Sequence, residues 1–381
     1  MDIKELRAQI DEIDAQLLEL FRARMNVSLG VAEYKRERNM AVYDPARERA
    51  LLANVNAMAG EEMGGYATSL YKTIMELSRT YQHHILEPKP QIKEYIETTL
   101  DRSPRMLPKY ARVACQGVEG AYSQIAATRM FDNPVISYYG DFADIFRAVA
   151  EGECDFGVLP IENSTAGSVN RVYDLLKKNS QLIVKSTRIK IDHNLLAKRG
   201  VEKSEIKEIF SHEQALNQCS AFLKSHPEVK VTVCENTAAA AKYVSESGRR
   251  DIAAICSREC GALYGLTIVK SNVQDENSNY TRFICISKDF NVFAGSQKIS
   301  IMTTIPHVPG SLNKLLGKFS MQGLNLTKLE SRPLAKHNFE FMFYFDFEGS
   351  IENEGVLNLI AELENSSEHF VFLGSYAEMT V

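Results

Sequence analysis

Arg24 and Lys35 are 11 residues apart in a stretch without proline. That spacing puts them about 20° out of phase on an ideal helix, so both cations share one face. Arg7 sits about 100° off Arg24 and about 25 Å away along the same helix. It cannot join them within one chain, but in an antiparallel helical dimer the partner's Arg7 could. Arg47 and Glu48 fall in the first turn after Asp44-Pro45, and Ser78 and Gln82 stand at i and i+4 of a later helix. Fixed cations of this kind can clamp an anion, although any one of them alone is more often a solvated surface charge. A second group of polar residues lies in the middle of the chain: Ser123, Glu162, Asn163, Ser164, His193, His212, Gln214, Gln218, Thr281 and Arg282. His193 and His212 read either as proton carriers or as satisfied structural donors, and Glu162 as an acid or a turn cap. Arg282 reads as a carboxylate ligand or as half of a buried ion pair. Gly117, Gly120 and Gly167 have the look of turn glycines. Their spacing is not a dinucleotide fingerprint, because the later glycine and the acidic ribose partner are missing.

The elements that must position these residues fall into three unlike modules, as a length of 381 residues allows. Residues 1–88 are nearly all helical. Ile3, Leu6, Ile10, Ile13, Leu17 and Leu20 form a heptad-like seam behind an Asp2/Glu5 capping box. Asn39 can end this first helix, Asp44-Pro45 starts a second, and Gly64-Gly65 marks a break before a third. These helices cannot cover their own apolar stripe, so a helical dimer is expected. Residues 89–108, with three prolines among charges and Pro88 just before them, read as a linker with a short helix near Ile92 to Leu100.

Residues 109–288 alternate strand and helix, which implies a mostly parallel sheet. The segment from Asp141 aligns without gaps on that from Thr237, placing Asp155 opposite Asp251. Duplication and chance are both open. Two α/β lobes would leave a cleft for a small ligand. Residues 298–381 read β-α-β-β-α-β, a ferredoxin-like sandwich with Phe339, Phe341, Phe343, Phe345 and Phe347 on one face of a strand. The fold class is thus multidomain: an all-α module, a two-lobed α/β module and an α+β module.

Composition excludes several function classes. Lys plus Arg is 44 and Asp plus Glu 49, so the net charge of −5 argues against a nucleic-acid binder. Apolar content is 45% and charged content 24%, with no transmembrane stretch and no signal-peptide pattern at the charged start. Seven scattered cysteines without a CxxC suggest a reduced, cytoplasmic protein with neither zinc site nor disulfide frame.

The segments LRAQIDEIDAQLLELFRARMNVSLGVAEYK, YDPARERALL and IMELSRTYQ resemble the all-helical chorismate mutase family across residues 1–86. The resemblance implies a domain-swapped dimer in which the partner's Arg7, with Arg24 and Arg47, binds two carboxylates. It places Lys35 and Gln82 at the ether oxygen, Glu48 at the ring hydroxyl, and Asp44 and Ser78 in support. Converting chorismate to prephenate is a unimolecular rearrangement that needs a clamp and a donor to the growing charge, with no cofactor and no metal.

The ordered motifs QGVEGAYSQIAA, CDFGVLPIENSTAGSVNRVYDLL, IDHNLL, SHEQALNQC and NYTRF resemble the prephenate dehydratase family over residues 109–288. The implied reaction takes prephenate to phenylpyruvate by loss of carbon dioxide and water, driven by aromatisation. Thr281 is the residue implied to assist hydroxyl departure. Arg282 and Phe283 complete its motif, and Ser123, Asn163, Ser164 and Gln218 are implied site polars, with Gln214 weaker. The last module resembles the ACT domain through HVPGSL and ESRP, which implies that L-phenylalanine binds near Gly310, Ser311, Leu312, Glu330, Ser331 and Arg332. Ser311 and Asn313 depart from the usual motif and could retune that site. Together the resemblances imply both reactions, phenylalanine as effector, and a homodimer or homotetramer binding neither nucleic acid nor membrane. The rivals are a dehydratase whose helical module is only a dimer clamp, and a non-enzymatic two-lobed sensor.

Overall fold

The computed structural model describes residues 2–38, 44–86, 91–305, 309–333, 341–367 and 369–380. They cluster into two units, Met1–Glu94 with Leu357–Ser366, and Tyr95–Val356 with Ser367–Val381.

In the first unit, the long α1 (Ile3–Glu37) begins where Glu5 accepts a hydrogen bond from the Asp2 N–H at 3.1 Å. It ends with Arg38 as its cap. Asn39, the expected terminator, lies outside the described residues. The second helical span, α2 (Pro45–Leu86), opens with Asp44 accepting from the Arg47 N–H at 3.0 Å. It is broken at Gly60, whose φ of 72° and ψ of 178° suit only glycine. The break is therefore not at Gly64-Gly65, as the sequence suggested. Both of those are helical, and a side chain at Gly64 would strike the Asn56 side chain. The apolar seam of α1 stays uncovered: Ile10 is 55% and Leu20 67% exposed, and only Ser28 and Ala32 of this helix are buried. The linker helix expected near Ile92 is α3 (Gln91–Leu100).

The second unit starts with β1 (Tyr110–Gln116), α4 (Tyr122–Met130), β2 (Asn133–Tyr139), α5 (Phe142–Ala150), β3 (Phe156–Asn163), β4 (Gly167–Ser168), α6 (Asn170–Lys178) and β5 (Leu182–Lys190). A second lobe follows: β6 (Asn194–Lys198), β7 (Glu208–His212), α7 (Glu213–Asn217), α8 (Ser220–Lys224), β8 (Lys230–Cys234), α9 (Thr237–Glu246), β9 (Ile252–Cys256), α10 (Glu259–Tyr264) and β10 (Leu266–Lys270). The chain then returns as β11 (Tyr280–Ser287). The last stretch is β12 (Lys298–Thr304), α11 (Ser311–Met321), β13 (Leu326–Pro333), β14 (Phe341–Glu348), α12 (Glu354–Ser366, of which Leu357–Ser366 clusters with the first unit) and β15 (Phe370–Met379).

One sheet runs β13-β14-β12-β15-β5-β11-β3-β1-β2, with β4 on β3; the other runs β10-β6-β9-β7-β8. The parallel pairs expected from the sequence are β1 with β2 and β3, and β7 with β8 and β9. The sheets are nevertheless mixed. The returning β11 runs antiparallel to β3 and β5, and β6 antiparallel to β9 and β10. The orders β2-β1-β3-β11 and β8-β7-β9-β6 match, and the gap-free alignment lays α5 on α9 and β3 on β9.

The last stretch is joined to the first lobe through β15, which pairs parallel with β5. One apolar core crosses that junction, taking Phe146, Leu159, Tyr173 and Leu176 from one side and Met302, Met342, Tyr344 and Leu373 from the other. On β14, Phe345 and Phe347 meet Phe319 of α11 at ring distances of 5.5 and 5.1 Å. Phe339 lies outside the described residues. The opposite face of β14 is buried too, with Tyr344 edge-on to Tyr173 at 4.6 Å.

Candidate active sites

The break at Gly60 lets α2 fold back on itself, so Glu48 near its start forms an ion pair with Arg79 near its end. One turn from Arg79, the Gln82 Nε2 donates to the Ser78 hydroxyl at 3.1 Å, and both side chains are buried. On α1, Arg24 and Lys35 are partly buried while Arg7 is exposed. Three buried polar atoms of the described helical residues have no hydrogen-bond partner, Arg24 Nη1, Thr68 Oγ1 and Gln82 Oε1, and the first and last belong to expected site residues. Such atoms are costly unless something polar fills the space beside them. Arg47 is exposed, and Asp44 is used as a helix cap. Because α1 is unbroken, Arg7 stays about 25 Å from Arg24 within one chain.

The second constellation sits where β3, β11 and the second lobe converge. Thr281 and Asn163 are directly paired across β11 and β3. The Asn163 amide donates to Thr281 Oγ1 at 2.8 Å and to Asn279 Oδ1 at 2.7 Å. Its own Oδ1 accepts from the Thr165 and Ala166 N–H groups, fixing the turn after β3. Gln218, on the other lobe, donates to the Thr165 hydroxyl at 3.2 Å. Its Oε1 accepts from Asn279 at 3.1 Å and lies 2.9 Å from His193 Nε2. The network thus bridges both lobes, and most of it is shielded: Thr281 is 9% and Asn163 7% exposed. Burial pulls the His193 pKa below its ordinary value, against the raising effect of its bond to Gln218. The ring is therefore neutral at neutral pH with Nε2–H donating, and its buried Nδ1 has no partner.

Several expected site residues are placed elsewhere. Arg282 is next to Thr281, but strand alternation turns it to the opposite face. There it contacts Asp346 of β14 at 2.6 Å and Glu162 at 3.7 Å, so it is a buried ion pair and not a free carboxylate ligand. Burial works against its charge, yet Asp346 prevails and its pKa is raised. Phe283 is 3% exposed in the apolar core. Ser123 donates to the Gln116 carbonyl at 2.5 Å, closing the turn from β1 into α4. Ser164 ties the turn after β3 to the backbone of Ser278 and Tyr280. His212 caps α7 through the Gln214 N–H, and Gln214 is exposed.

On the last module Gly310, with φ of 86°, begins α11, followed by the half-buried Ser311 and Leu312. On β13 the alternation separates the expected ligands. Lys328, Glu330 and Arg332 are half-buried on one face; Leu329 and Ser331 are exposed on the other. Arg332 donates to the Asn170 carbonyl at 2.7 Å and pairs with Asp174 at 3.2 Å. Glu330 accepts from the Ser168 hydroxyl. No metal-ligating cluster of three or more groups occurs among the described residues.

Against known families, residues 6–83 match chorismate mutase type II and residues 113–291 match prephenate dehydratase. The bifunctional chorismate mutase/prephenate dehydratase of Escherichia coli (strain K12) is 32% identical over 387 residues, spanning 99% of this chain and 96% of that relative. The chain belongs to the bifunctional chorismate mutase/prephenate dehydratase family. A second relative, arogenate dehydratase/prephenate dehydratase 2 of Arabidopsis thaliana, is 36% identical over 79% of this chain and 81% of its own length. A prephenate dehydratase from Arthrobacter aurescens, solved in complex with L-Phe, superposes with a TM-score of 0.63 at 29% identity, over 70% of this chain and 90% of that one.

The chorismate mutase match takes in every expected residue from Arg7 to Gln82, and the prephenate dehydratase match every one from Ser123 to Phe283. The structure adds residues that the sequence did not single out. Arg79 lies one position after Ser78, and its pairing with Glu48 depends on the fold-back at Gly60. Thr165 and Asn279 lay inside the ENSTAG and NYTRF motifs, and a count of small hydrogen-bonding side chains there would have found both. No helix among the described residues is long and apolar enough to cross a membrane.

Proposed function

We propose that this chain rearranges chorismate to prephenate in its helical module, then decarboxylates and dehydrates prephenate to phenylpyruvate in its two-lobed module. The observation that carries this reading is the presence of both family spans in one chain, each enclosing its own shielded polar constellation. On this reading Arg24, Arg47 and the partner's Arg7 hold the chorismate carboxylates, so a homodimer is the least assembly that completes the site. The exposed seam of α1 supports that assembly. The unpaired Arg24 Nη1 would find its acceptor in a carboxylate. Gln82 must present a donor to the ether oxygen. Rotating its amide by half a turn does so, because the Ser78 hydroxyl can donate to Oε1 as readily as accept from Nε2. Lys35 would stand at the same oxygen and Glu48, held by Arg79, at the ring hydroxyl.

In the dehydratase module Thr281 faces the departing ring hydroxyl. Threonine is too weak an acid to be the proton's source, so it orients or relays the proton, held in place by Asn163. His193, Gln218 and Asn279 extend that hydrogen-bonded network. Aromatisation drives the loss of carbon dioxide, so the protein needs to supply only binding and a proton path. Residues 298–381 are read as an ACT module with ferredoxin-like strand order, responding to L-phenylalanine bound around Gly310, Ser311, Leu312 and the 330–332 segment. Supporting this reading is the antiparallel order β13-β14-β12-β15. The domain limits 1–88, 109–288 and 298–381, with a short joining segment at 89–108, belong to the same proposal, as does a cytoplasmic setting.

The test is product analysis after supplying chorismate alone, quenched at neutral pH because prephenate aromatises in acid. Phenylpyruvate that appears, and is suppressed by L-phenylalanine, is the expected result. Prephenate accumulating without phenylpyruvate would overturn the dehydratase assignment. Untouched chorismate, with added prephenate still consumed, would reduce the helical module to a dimer clamp.

A further inference from the structure

The turn that carries Asn163 is closed at its base by Glu162 on β3 and Ser168 on β4, which are cross-strand partners. Both are gripped by one side chain from outside the dehydratase motifs. Lys328 of β13 places its ammonium 3.0 Å from a Glu162 carboxylate oxygen, 2.8 Å from Ser168 Oγ and 3.3 Å from a Glu330 carboxylate oxygen. Its side chain is 9% exposed, and it lies over the Tyr173 ring at 5.4 Å. The ammonium donates to the Ser168 hydroxyl and forms ion pairs with both carboxylates, so three oxygens surround it. Two belong to the hairpin that positions Asn163 against Thr281; the third belongs to the 330–332 segment.

We propose that Lys328 is the coupling residue between the effector segment and the dehydration site. It acts as a pin that makes the position of β13 and the position of the 162–168 hairpin interdependent. This rests on the reading that L-phenylalanine acts through the last module. An effector shifts activity only by favouring one of two arrangements that the protein already has. The pin supplies the physical link such a shift requires. A ligand that moves Glu330 or the backbone of β13 changes the partners open to the Lys328 ammonium. The ammonium is shielded, so an altered partner is not replaced by bulk water. The displaced group is then the base of the Asn163 turn. Arg332, fastened to Asn170 and Asp174 at the start of α6, steadies the far end of the same segment.

The experiment uses the full-length chain. Wild-type protein is first assayed for dehydration of prephenate with and without L-phenylalanine; absence of inhibition there would remove the underlying reading, not the pin. Lys328→Met is then compared by three measurements: rate without effector, L-phenylalanine affinity by calorimetry, and rate at saturating effector. The expected result is an effector-free kcat within about twofold of wild type and retained binding of L-phenylalanine. Inhibition at saturation should weaken by about tenfold or more, within the range of ordinary coupling. Inhibition that persists undiminished overturns the proposal. So does loss of L-phenylalanine binding, which would make Lys328 an effector ligand, and so does loss of the effector-free rate, which would make it part of the basal site. If Lys328→Met fails to fold, Ser168→Ala decides. It removes the hydroxyl contact of the pin at the half-buried Ser168 of β4, and undiminished inhibition in that variant overturns the proposal equally.

Discussion

His193 Nε2 lies 2.9 Å from Gln218 Oε1, and its other ring nitrogen is buried without a partner. Protonating Nδ1 would place a donor where nothing accepts, which is why burial holds the ring neutral below its ordinary pKa of 6.5. The unfolded chain takes up a proton that the folded one refuses. The stabilisation is therefore complete above about pH 6.5 and is lost as pH falls towards the lowered folded value. The slope in that window is at most about 1.4 kcal/mol per pH unit for this one group. Thermal melts of wild type and His193→Gln between neutral and mildly acidic pH check this, and the variant should show the shallower loss.

The two reactions should separate by mutation. Arg24→Ala is expected to lower chorismate rearrangement by about 100-fold or more, the scale for losing a charge-stabilising group, while prephenate dehydration continues. Thr281→Ala should do the reverse. Initial rates on each substrate decide, and a variant that loses both would refute the division of labour between the modules.

Gly60 offers a stability test. Alanine there must adopt a φ of 72° with a ψ of 178°, a conformation costing about 1–3 kcal/mol. The strain falls on the fold-back that joins Glu48 to Arg79. Gly60→Ala should therefore lower mutase activity and the helical melting transition, leaving dehydration intact.

The pair formed by Arg282 and Asp346 is buried, with Asp346 at 0% and Arg282 at 6% exposure. Removing Asp346 leaves the buried Arg282 only the more distant carboxylates of Glu162 and Glu378, at 3.7 and 3.8 Å, so Asp346→Asn is expected to cost about 3 kcal/mol. Replacing both by apolar residues of similar volume should recover much of that loss. Denaturant titration of the two variants beside wild type measures both effects.

Local pattern was enough to read most elements from the sequence. The heptad seam, the Asp44-Pro45 start, the α/β alternation and the β-α-β-β-α-β order all depend on neighbours within a few residues. The motif residues Asn163, Gln218 and Thr281 were legible because their order along the chain is distinctive, and the structure brings them into one network. Long-range facts were not legible. Gly60 and not Gly64-Gly65 ends the helix: the left-handed backbone falls at Gly60, while Gly64 stays helical beside Asn56, a choice among three glycines that local spacing does not reveal. Arg282 shares a motif with Thr281, yet its partner is Asp346, 64 positions further on, and strand alternation sends the two neighbours to opposite faces. Glu330 and Arg332 looked like ligands for a small molecule. Their contacts with Ser168, Asn170 and Asp174 come from the packing of β13 against β4 and α6, which no local window contains.

The straightness of α1 has a genetic consequence. If the partner's Arg7 completes a site built around Arg24, every mutase site is written by two copies of the gene. A chain carrying Arg7→Ala and a chain carrying Arg24→Ala would each be inactive alone. Co-expressed as mixed dimers, they would hold one site with both defects and one with neither. Random pairing would then restore about a quarter of wild-type mutase activity from two dead alleles, by the two-fold symmetry of such a dimer.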